Sequence, residues 1–276
     1  MQTYFRPNEN FFQIIRQHLP HAVESSITLV KTGWTNIVIC AFDGESEYFF
    51  RFPRNDFFAR MMRKDHSFCR FIKDKVTFQV PDMQLFYDRD RPFSMHKKIQ
   101  GWSLTERLKH LSRQAITNVA YDIVQFIREL DQVDPNTLPN TCNMYVSNFL
   151  DELSTVSGRP YDEEKMEVLR KEEAAEPCVV HGDFNPGNIL LDQQDRMVGV
   201  IDFAFAGISS RLVDISRVLG RTTHVFQQPV LKAYHSIMHR TIPVQQIKKV
   251  VRLWNHVEEE YTAYIRLHHP EIQLPS

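Results

Sequence analysis

The sequence predicts an α+β fold of two lobes: an N-terminal lobe with an antiparallel sheet and a helix, and a mostly helical C-terminal lobe. Runs of β-branched and aromatic residues separated by turn residues dominate the first part of the chain, and long segments with apolar residues at helical spacing dominate the second. The length of 276 residues exceeds that of a typical single domain. We therefore expect an N-lobe over residues 1–100, which ends in a hinge, and a C-lobe over residues 101–276.

The N-lobe is predicted to begin with a helix near residues 8–18, followed by three antiparallel strands. The strands cover residues 26–31, 36–42 and 47–53, and the turn residues Thr32-Gly33-Trp34 and Asp43-Gly44 separate them. A helix over about residues 57–73 follows, and a further strand runs over residues 93–101. Asp65 lies on the otherwise apolar face of this helix, where a carboxylate needs a partner.

The C-lobe is predicted to open with a long helix that ends at about residue 130. Ser103 and Glu106 have the spacing of a capping box, and apolar residues recur at helical spacing after them. The remaining predicted helices cover about residues 143–156, 161–174, 212–219 and 244–267, and short strands cover residues 178–181, 188–191 and 197–201.

Composition and charge exclude several classes of protein. The 33 basic and 34 acidic residues leave a net charge of -1, so nothing indicates a nucleic-acid partner. The four cysteines are widely spaced and form no CxxC pair, which argues against a zinc site or a disulfide framework. No apolar run reaches the length of a membrane span, so we expect a cytoplasmic protein without a membrane partner. The oligomeric state is left open.

One stretch of the sequence contains the candidate catalytic and metal-binding residues. Residues 180–190 read VHGDFNPGNIL, and Ile201-Asp202-Phe203 follows at the end of a predicted strand. Phosphoryl transfer requires a group that takes a hydroxyl proton and oxygen ligands for magnesium, and Asp183 suits the first role while Asn188 and Asp202 suit the second. The alternative is a turn in which Asp183 and Asn188 merely cap backbone groups.

The same string resembles the aminoglycoside phosphotransferase and choline kinase family, with His-Gly-Asp where protein kinases have His-Arg-Asp. The branch that acts on the aminoglycoside 2''-hydroxyl is the most similar. The resemblance implies a protein-kinase-like fold, Mg²⁺ and ATP or GTP as cofactors, and a small molecule with a hydroxyl group as acceptor.

The resemblance also implies a nucleotide site. Gly33 and Thr35 lie where the family has its nucleotide-covering loop, although a plain hairpin turn explains them equally well. Arg51 stands where a lysine commonly anchors the phosphates, and Asp65 stands where a glutamate pairs with that cation; the alternatives are an exposed strand arginine and a solvated helix carboxylate. The Lys97 carbonyl and the Ile99 amide correspond to the backbone groups that contact the base, unless this segment is a strand without a ligand.

The acceptor is less determined than the donor. Trp254 and Tyr261 lie on one face of the last helix, where they line either an acceptor pocket or the core. Relatives that bind aminoglycosides often carry acids just after the metal-binding aspartate, but here no acid lies between Asp202 and Asp214, and Arg211 lies inside the stretch. We expect Asp214 to hold in place the loop between the predicted strands over residues 178–181 and 188–191, the catalytic loop.

The leading hypothesis from the sequence is a small-molecule kinase. The absent strand lysine supports an alternative, a nucleotide-binding module that has lost transfer activity and works as a sensor or partner protein. A metal-dependent hydrolase that uses His181 ranks last, since a second cluster of His and Asp ligands at suitable spacing is missing.

Overall fold

The computed structural model describes residues 4–6, 9–30, 35–158, 161, 163–242 and 244–268. Within these ranges the chain forms the predicted α+β fold. An antiparallel sheet occupies the N-terminal part, and helices with two small sheets form the remainder.

The N-terminal sheet has five strands in the order β1-β2-β3-β5-β4, all antiparallel. Its strands are β1 Thr28–Val30, β2 Asn36–Phe42, β3 Glu47–Pro53, β4 Gln84–Asp88 and β5 Arg91–Lys97. The helix α1, Phe11–His18, covers one face and builds a small core with Phe52 and Phe93 of the sheet. Strand β4 was not predicted, and β5 ends earlier than the predicted strand over residues 93–101.

The helix α2, Asp56–Ile72, packs on the opposite face of this sheet. Asn55 begins it, because the Asn55 side-chain oxygen accepts a hydrogen bond of 2.9 Å from the amide of Phe58. Phe68 stacks on Phe203 from the C-terminal part, with 5.4 Å between ring centroids. This contact fixes α2, and with it Asp65, against the segment that follows the catalytic loop.

The C-terminal part surrounds a large apolar core. Its helices are α3 Leu104–Arg107, α4 Arg113–Asp131, α5 Val146–Ser157, α6 Glu163–Ala175, α7 Leu212–Gly220, α8 His224–Met238 and α9 Val244–His268. Its strands are β6 Trp102–Ser103, β7 Pro177–Val180, β8 Ile189–Leu191, β9 Met197–Val200 and β10 Gly207–Ser210. The strands form two small sheets, β6-β8-β9 and β10-β7, and the catalytic loop connects β7 to β8.

Two helix predictions were wrong. The predicted single helix from residue 103 to about 130 is two helices: Ser103 and Glu106 do form a capping box, but Ser112 starts a second helix by accepting a bond of 3.1 Å from the amide of Ala115. Helix α8 was missed; it contains Pro229, which lacks the amide proton of a regular helical turn and weakens a helical reading of the sequence.

None of the helices in the described ranges is long and apolar enough to cross a membrane.

Candidate active site

A cleft of about 980 Å³ runs between the N-terminal sheet and the helical part. Strands β2, β3 and β5 line one side, with Arg51 and His96 among their side chains. The catalytic loop, α7 and α9 line the other side. The alternation along β3 directs Phe49 and Arg51 to the same face, as the sequence predicted, and both border the cleft.

The buried carboxylate of Asp214, at the start of α7, holds the catalytic loop in place. Asp214 accepts hydrogen bonds of 2.9 Å from the amides of both His181 and Gly182. Burial raises the pKa of Asp214 to about 7, and the two amide N–H groups oppose this shift. Asp214 therefore fastens the loop, in agreement with the expectation from the sequence.

His181 fixes the loop from the side. It is fully buried; its Nε2 lies 3.0 Å from the carbonyl of Ile201, and its Nδ1 accepts a hydrogen bond of 3.2 Å from the amide of Asp183. Because a carbonyl only accepts, Nε2 carries the proton and the ring is the neutral tautomer. Burial lowers the pKa of His181 to about 4. His181 thus links the loop to the segment that carries Asp202.

Glycine is required at position 182, in the turn between His181 and Asp183. Its φ is +80°, a region that favours glycine, and a Cβ at this position would lie 2.3 Å from the carbonyl oxygen of Phe205. Another residue would therefore displace the loop.

Asp183 presents two different carboxylate oxygens. Oδ1 accepts from Asn185 Nδ2 at 3.0 Å, from Arg217 Nε at 3.0 Å and from a second nitrogen of the Arg217 guanidinium. Oδ2 receives a longer contact of 3.3 Å from Asn188 Nδ2. Since two Arg217 nitrogens both donate to Oδ1, Oδ2 is the better-placed oxygen to accept a proton from a hydroxyl in the cleft.

Asn188 and Asp202 have the chemistry of a magnesium site. Asn188 Nδ2 donates to the Asp183 carbonyl at 2.9 Å, so its Oδ1 is the atom suited to ligate a cation. The side chain of Asp202 is 49% exposed and faces the cleft. Hard divalent cations prefer such oxygen donors, and Mg²⁺ commonly takes one or two protein ligands beside phosphates and water. Among the described residues no three His, Cys, Asp or Glu side chains cluster as a metal site.

Asp202 has an unusual backbone conformation and a shifted pKa. Its φ is +68°, in the left-handed region, and it precedes a short 3₁₀ turn, Phe203–Phe205. Partial desolvation in the cleft raises the pKa of Asp202, which Asp65 and Asp183 reinforce and Arg51 opposes. Such backbone strain is typical of functional positions.

The ion pair expected between Arg51 and Asp65 is present. Arg51 Nη1 lies 2.5 Å from Asp65 Oδ2, and Arg51 Nη2 lies 3.6 Å from Asp202 Oδ1. Asp65 is fully buried, and its other oxygen accepts a bond of 3.1 Å from the amide of Phe203. Arg51 thus bridges helix α2 and the candidate metal ligand.

The other residues predicted to contact the nucleotide differ in whether they line the cleft. Thr35 lines the cleft, whereas Gly33 lies outside the described residues. Ile99 and Lys98 border the cleft. Lys97, the exposed last residue of β5, is not among the residues that line it, although the prediction concerned its backbone carbonyl.

Trp254 and Tyr261 satisfy both sequence interpretations. They are 3% and 7% exposed and belong to the core, yet both also line the cleft on the side of α9. Sequence reasoning missed Arg217 and Arg221, which border the cleft from α7 and its C-terminal end. No local pattern distinguishes them from other helix arginines; they become functional candidates because α7 packs beside α9.

The chain is similar in sequence to one enzyme family and in fold to several solved enzymes. The model of the phosphotransferase enzyme family, APH, matches residues 26–242. The fold is similar to that of APH(2'')-IIIa in complex with GDP and kanamycin, with a TM-score of 0.70 and 19% identity over 95% of this chain and 97% of that one. It is also similar to a ternary complex of APH(2'')-IIa with streptomycin and ATP, with a TM-score of 0.63 and 22% identity over 95% and 91%.

A macrolide 2'-phosphotransferase from Brachybacterium faecium, solved as the apoenzyme, gives a TM-score of 0.65 and 13% identity over 96% of this chain and 98% of that one. At such identities the structural matches establish the fold. The family match covers most of the chain, including the whole catalytic loop. The chain therefore belongs to the APH phosphotransferase enzyme family and is a phosphotransferase with an alcohol group as acceptor.

Proposed function

We propose that this protein is a kinase that transfers the terminal phosphoryl group of Mg-ATP or Mg-GTP to a hydroxyl of a small molecule. The observation that carries the proposal is that Arg51, Asp183 and Asp202 line one cleft. Asn188 does not line it but donates to Asp183, and Arg51 approaches Asp202, so the candidate base, metal ligands and phosphate anchor are linked by contacts. Positioning and charge neutralisation are what this reaction needs from a protein.

Asp183 positions the acceptor. Its Oδ2 accepts the proton of the acceptor hydroxyl, whose oxygen forms a bond to the terminal phosphorus while the bond from that phosphorus to the bridging oxygen breaks. Arg217 and Asn185 hold Oδ1 and so fix the direction in which Oδ2 points.

Asn188 and Asp202 would hold Mg²⁺, which would neutralise phosphate charge during transfer. Arg51 contacts the phosphates, and Asp65 orients its guanidinium. Thr35 lines the cleft beside the proposed nucleotide, and Gly33 is proposed for the nucleotide-covering loop from the sequence alone. The Lys97 carbonyl and the Ile99 amide face the base.

Two lobes, residues 1–100 and 101–276, enclose the reaction, with donor and acceptor meeting in the cleft between them. Solved relatives crystallised with kanamycin or streptomycin support a hydroxyl-rich small acceptor, aminoglycoside-like or of another class. Nucleoside triphosphates of this kind are cytoplasmic metabolites, so we place the reaction in the cytoplasm.

The first experiment is thermal unfolding with Mg-ATP and with Mg-GTP, using Asp202→Ala as control. A ligand at about a hundred times its dissociation constant adds about 2.7 kcal/mol of stability. We expect a magnesium-dependent rise that Asp202→Ala loses, and the more stabilising nucleotide identifies the donor. No rise with either nucleotide at saturation would refute the proposal.

A second measurement separates a kinase from a nucleotide-binding module without transfer activity. Asp183→Asn should retain nucleotide-dependent stabilisation and lose phosphorylated product, because the amide cannot accept the hydroxyl proton. Nucleotide binding by the wild type without product from any hydroxyl acceptor would favour the sensor or partner module.

A further inference from the structure

Glu258 of α9 is a carboxylate in the cleft to which the proposed reaction gives no role. It lines the cleft, and 25% of its side chain is exposed. Its two oxygens pair with two different arginines: Oε1 lies 2.6 Å from Arg217 Nη1, and Oε2 pairs with Arg221 Nη2. Because each oxygen has its own cation, both the position and the rotation of the Glu258 carboxylate are fixed.

Arg217 is buried, with 6% of its side chain exposed, and is held on three sides. Its Nε and Nη2 donate to Asp183 Oδ1, and its Nη1 contacts Glu258. Its guanidinium lies 4.8 Å from the ring centroid of Trp254. A buried guanidinium needs acceptors for its N–H groups, and the two carboxylates supply them at different edges. Glu258 therefore holds the Nη1 end of Arg217 away from Asp183.

The pairing between Arg217 and Asp183 is asymmetric. Arginine and carboxylate frequently form a fork, in which two nitrogens donate to two different oxygens. Here both nitrogens donate to Oδ1, while Oδ2 receives the 3.3 Å contact from Asn188 Nδ2. Oδ2, the oxygen proposed to accept the hydroxyl proton, is thus left without an arginine donor. The contact of Glu258 with Nη1 gives a physical reason for this asymmetry.

Removal of Glu258 would leave Asp183 as the one carboxylate in contact with Arg217 among the described residues. The guanidinium would then turn to form the fork on both oxygens of Asp183. Trp254 would not prevent this turn, because an aromatic ring over a guanidinium restrains its plane rather than its rotation within that plane. A donor on Oδ2 would compete with the acceptor hydroxyl for the lone pair that takes its proton.

We propose that Glu258 is a positioning residue that acts through Arg217: by holding Nη1, it keeps Oδ2 of Asp183 open to the acceptor hydroxyl. This inference rests on the proposed kinase function and adds to it a residue of α9 on which the base depends. Glu258 follows Trp254 by four residues and precedes Tyr261 by three, so the face of α9 that lines the cleft also controls the base.

The first test is the crystal structure of Glu258→Ala. We expect one Arg217 nitrogen within about 3.2 Å of each Asp183 oxygen, instead of two nitrogens on Oδ1. Glu259→Ala is the matched control, since Glu259 is exposed on the same helix and does not line the cleft; it should keep the wild-type pairing. An unchanged pairing between Arg217 and Asp183 in Glu258→Ala overturns the inference.

The second test is phosphate release with water as the hydroxyl acceptor, using Mg-ATP or Mg-GTP, whichever stabilises the protein more. The water oxygen bonds to the terminal phosphorus, its proton passes to Asp183 Oδ2, and the bond to the bridging oxygen breaks, which releases the nucleoside diphosphate. Glu258→Ala should lower kcat at least about tenfold and change KM for the nucleotide less than about twofold. Glu259→Ala should change neither.

A double variant distinguishes a positioning role from a merely structural one. Arg217→Met removes the guanidinium that would cover Oδ2, so Glu258→Ala combined with Arg217→Met should have a kcat at least about threefold above that of Glu258→Ala alone. If Glu258 only stabilised the packing of α7 and α9, the two losses would add. Additive losses therefore overturn the inference.

The readouts separate two failures. If the wild type turns over nucleotide but no fork forms in Glu258→Ala, the role of Glu258 is wrong and the kinase proposal stands. If the wild type binds neither Mg-ATP nor Mg-GTP, the kinase proposal itself fails, and the positioning role fails with it.

Discussion

The buried ion pair between Asp65 of α2 and Arg51 of β3 allows a quantitative prediction of stability. Asp65→Asn should lower the free energy of unfolding by about 3 kcal/mol, because breaking a buried ion pair costs roughly 3–5 kcal/mol. Asp65 is fully buried, and the Arg51 side chain is 13% exposed, so water does not replace the lost carboxylate. The lower end of the range applies since Asp202, 3.6 Å from Arg51, retains part of the countercharge.

Differential scanning calorimetry measures the effect. At about 2.1 cal/mol/K of unfolding entropy per residue, the 276 residues give about 0.6 kcal/mol/K, so about 3 kcal/mol lowers Tm by about 5 °C. Asp151→Asn is the matched control, because the Asp151 and Arg170 side chains are 48% and 32% exposed. An exposed pair is worth less than about 1 kcal/mol, so its Tm should fall by less than about 2 °C.

Equal shifts in Asp65→Asn and Asp151→Asn would refute the reasoning, since burial would then not decide the strength of these pairs. The double variant Arg51→Met with Asp65→Leu gives a second check. It removes both charges together and should recover part of the lost stability, because the Phe203 amide still loses its acceptor, and it should not recover nucleotide-dependent stabilisation if Arg51 contacts the phosphates.

Three further predictions concern the same cleft. Gly182→Ala should lower kcat by about 100-fold while Mg-ATP affinity changes little, because the added Cβ displaces the catalytic loop from Phe205; steady-state kinetics with unchanged kcat would contradict this. Neutral burial of His181 contributes roughly 3 kcal/mol of stability, which is complete above its unfolded pKa near 6.5 and is lost as pH falls through about 4. Because the raised pKa values of Asp202 and Asp214 change stability in the opposite direction over the same window, the free energy of urea unfolding is compared with that of His181→Gln, which should take up one proton fewer on unfolding. Arg51→Lys alone should weaken Mg-ATP binding by about tenfold, because the shorter cation no longer spans Asp65 and the phosphates, and adding Asp65→Glu should restore it; additive losses in the titration would show that the two lengths do not compensate.

Local patterns predicted much of the fold. The turn residues of the N-terminal part placed β2 and β3 correctly, and the apolar periodicity placed α2 and α9. The prediction failed where local and tertiary preferences conflict. Ser112 starts a new helix inside an apolar repeat that continues across it, and Pro229 lies inside a helix that packing against α4 stabilises.

Some residues of the candidate site could likewise be predicted from the local sequence, and others could not. Asp183, Asn188 and Asp202 were candidates from the sequence because phosphoryl transfer needs those residue types, and their roles stay a prediction. Asp65 was identifiable because a carboxylate on an apolar helix face requires a partner. Arg217 and Arg221 were not, since an arginine near a helix C-terminus usually has no function beyond favourable interaction with the helix dipole.

The charges of the cleft form two connected chains. On the nucleotide side, Asp65, Arg51 and Asp202 alternate in sign; on the acceptor side, Asp183, Arg217, Glu258 and Arg221 alternate likewise. The first chain has a carboxylate at both ends, so its two acids outnumber its one arginine beside the position proposed for the metal. The second chain begins at Asp183 and ends at Arg221, so its two acids and two arginines balance. Surplus negative charge suits a metal cation, whereas the balanced chain holds Asp183 in place without favouring a ligand of either sign.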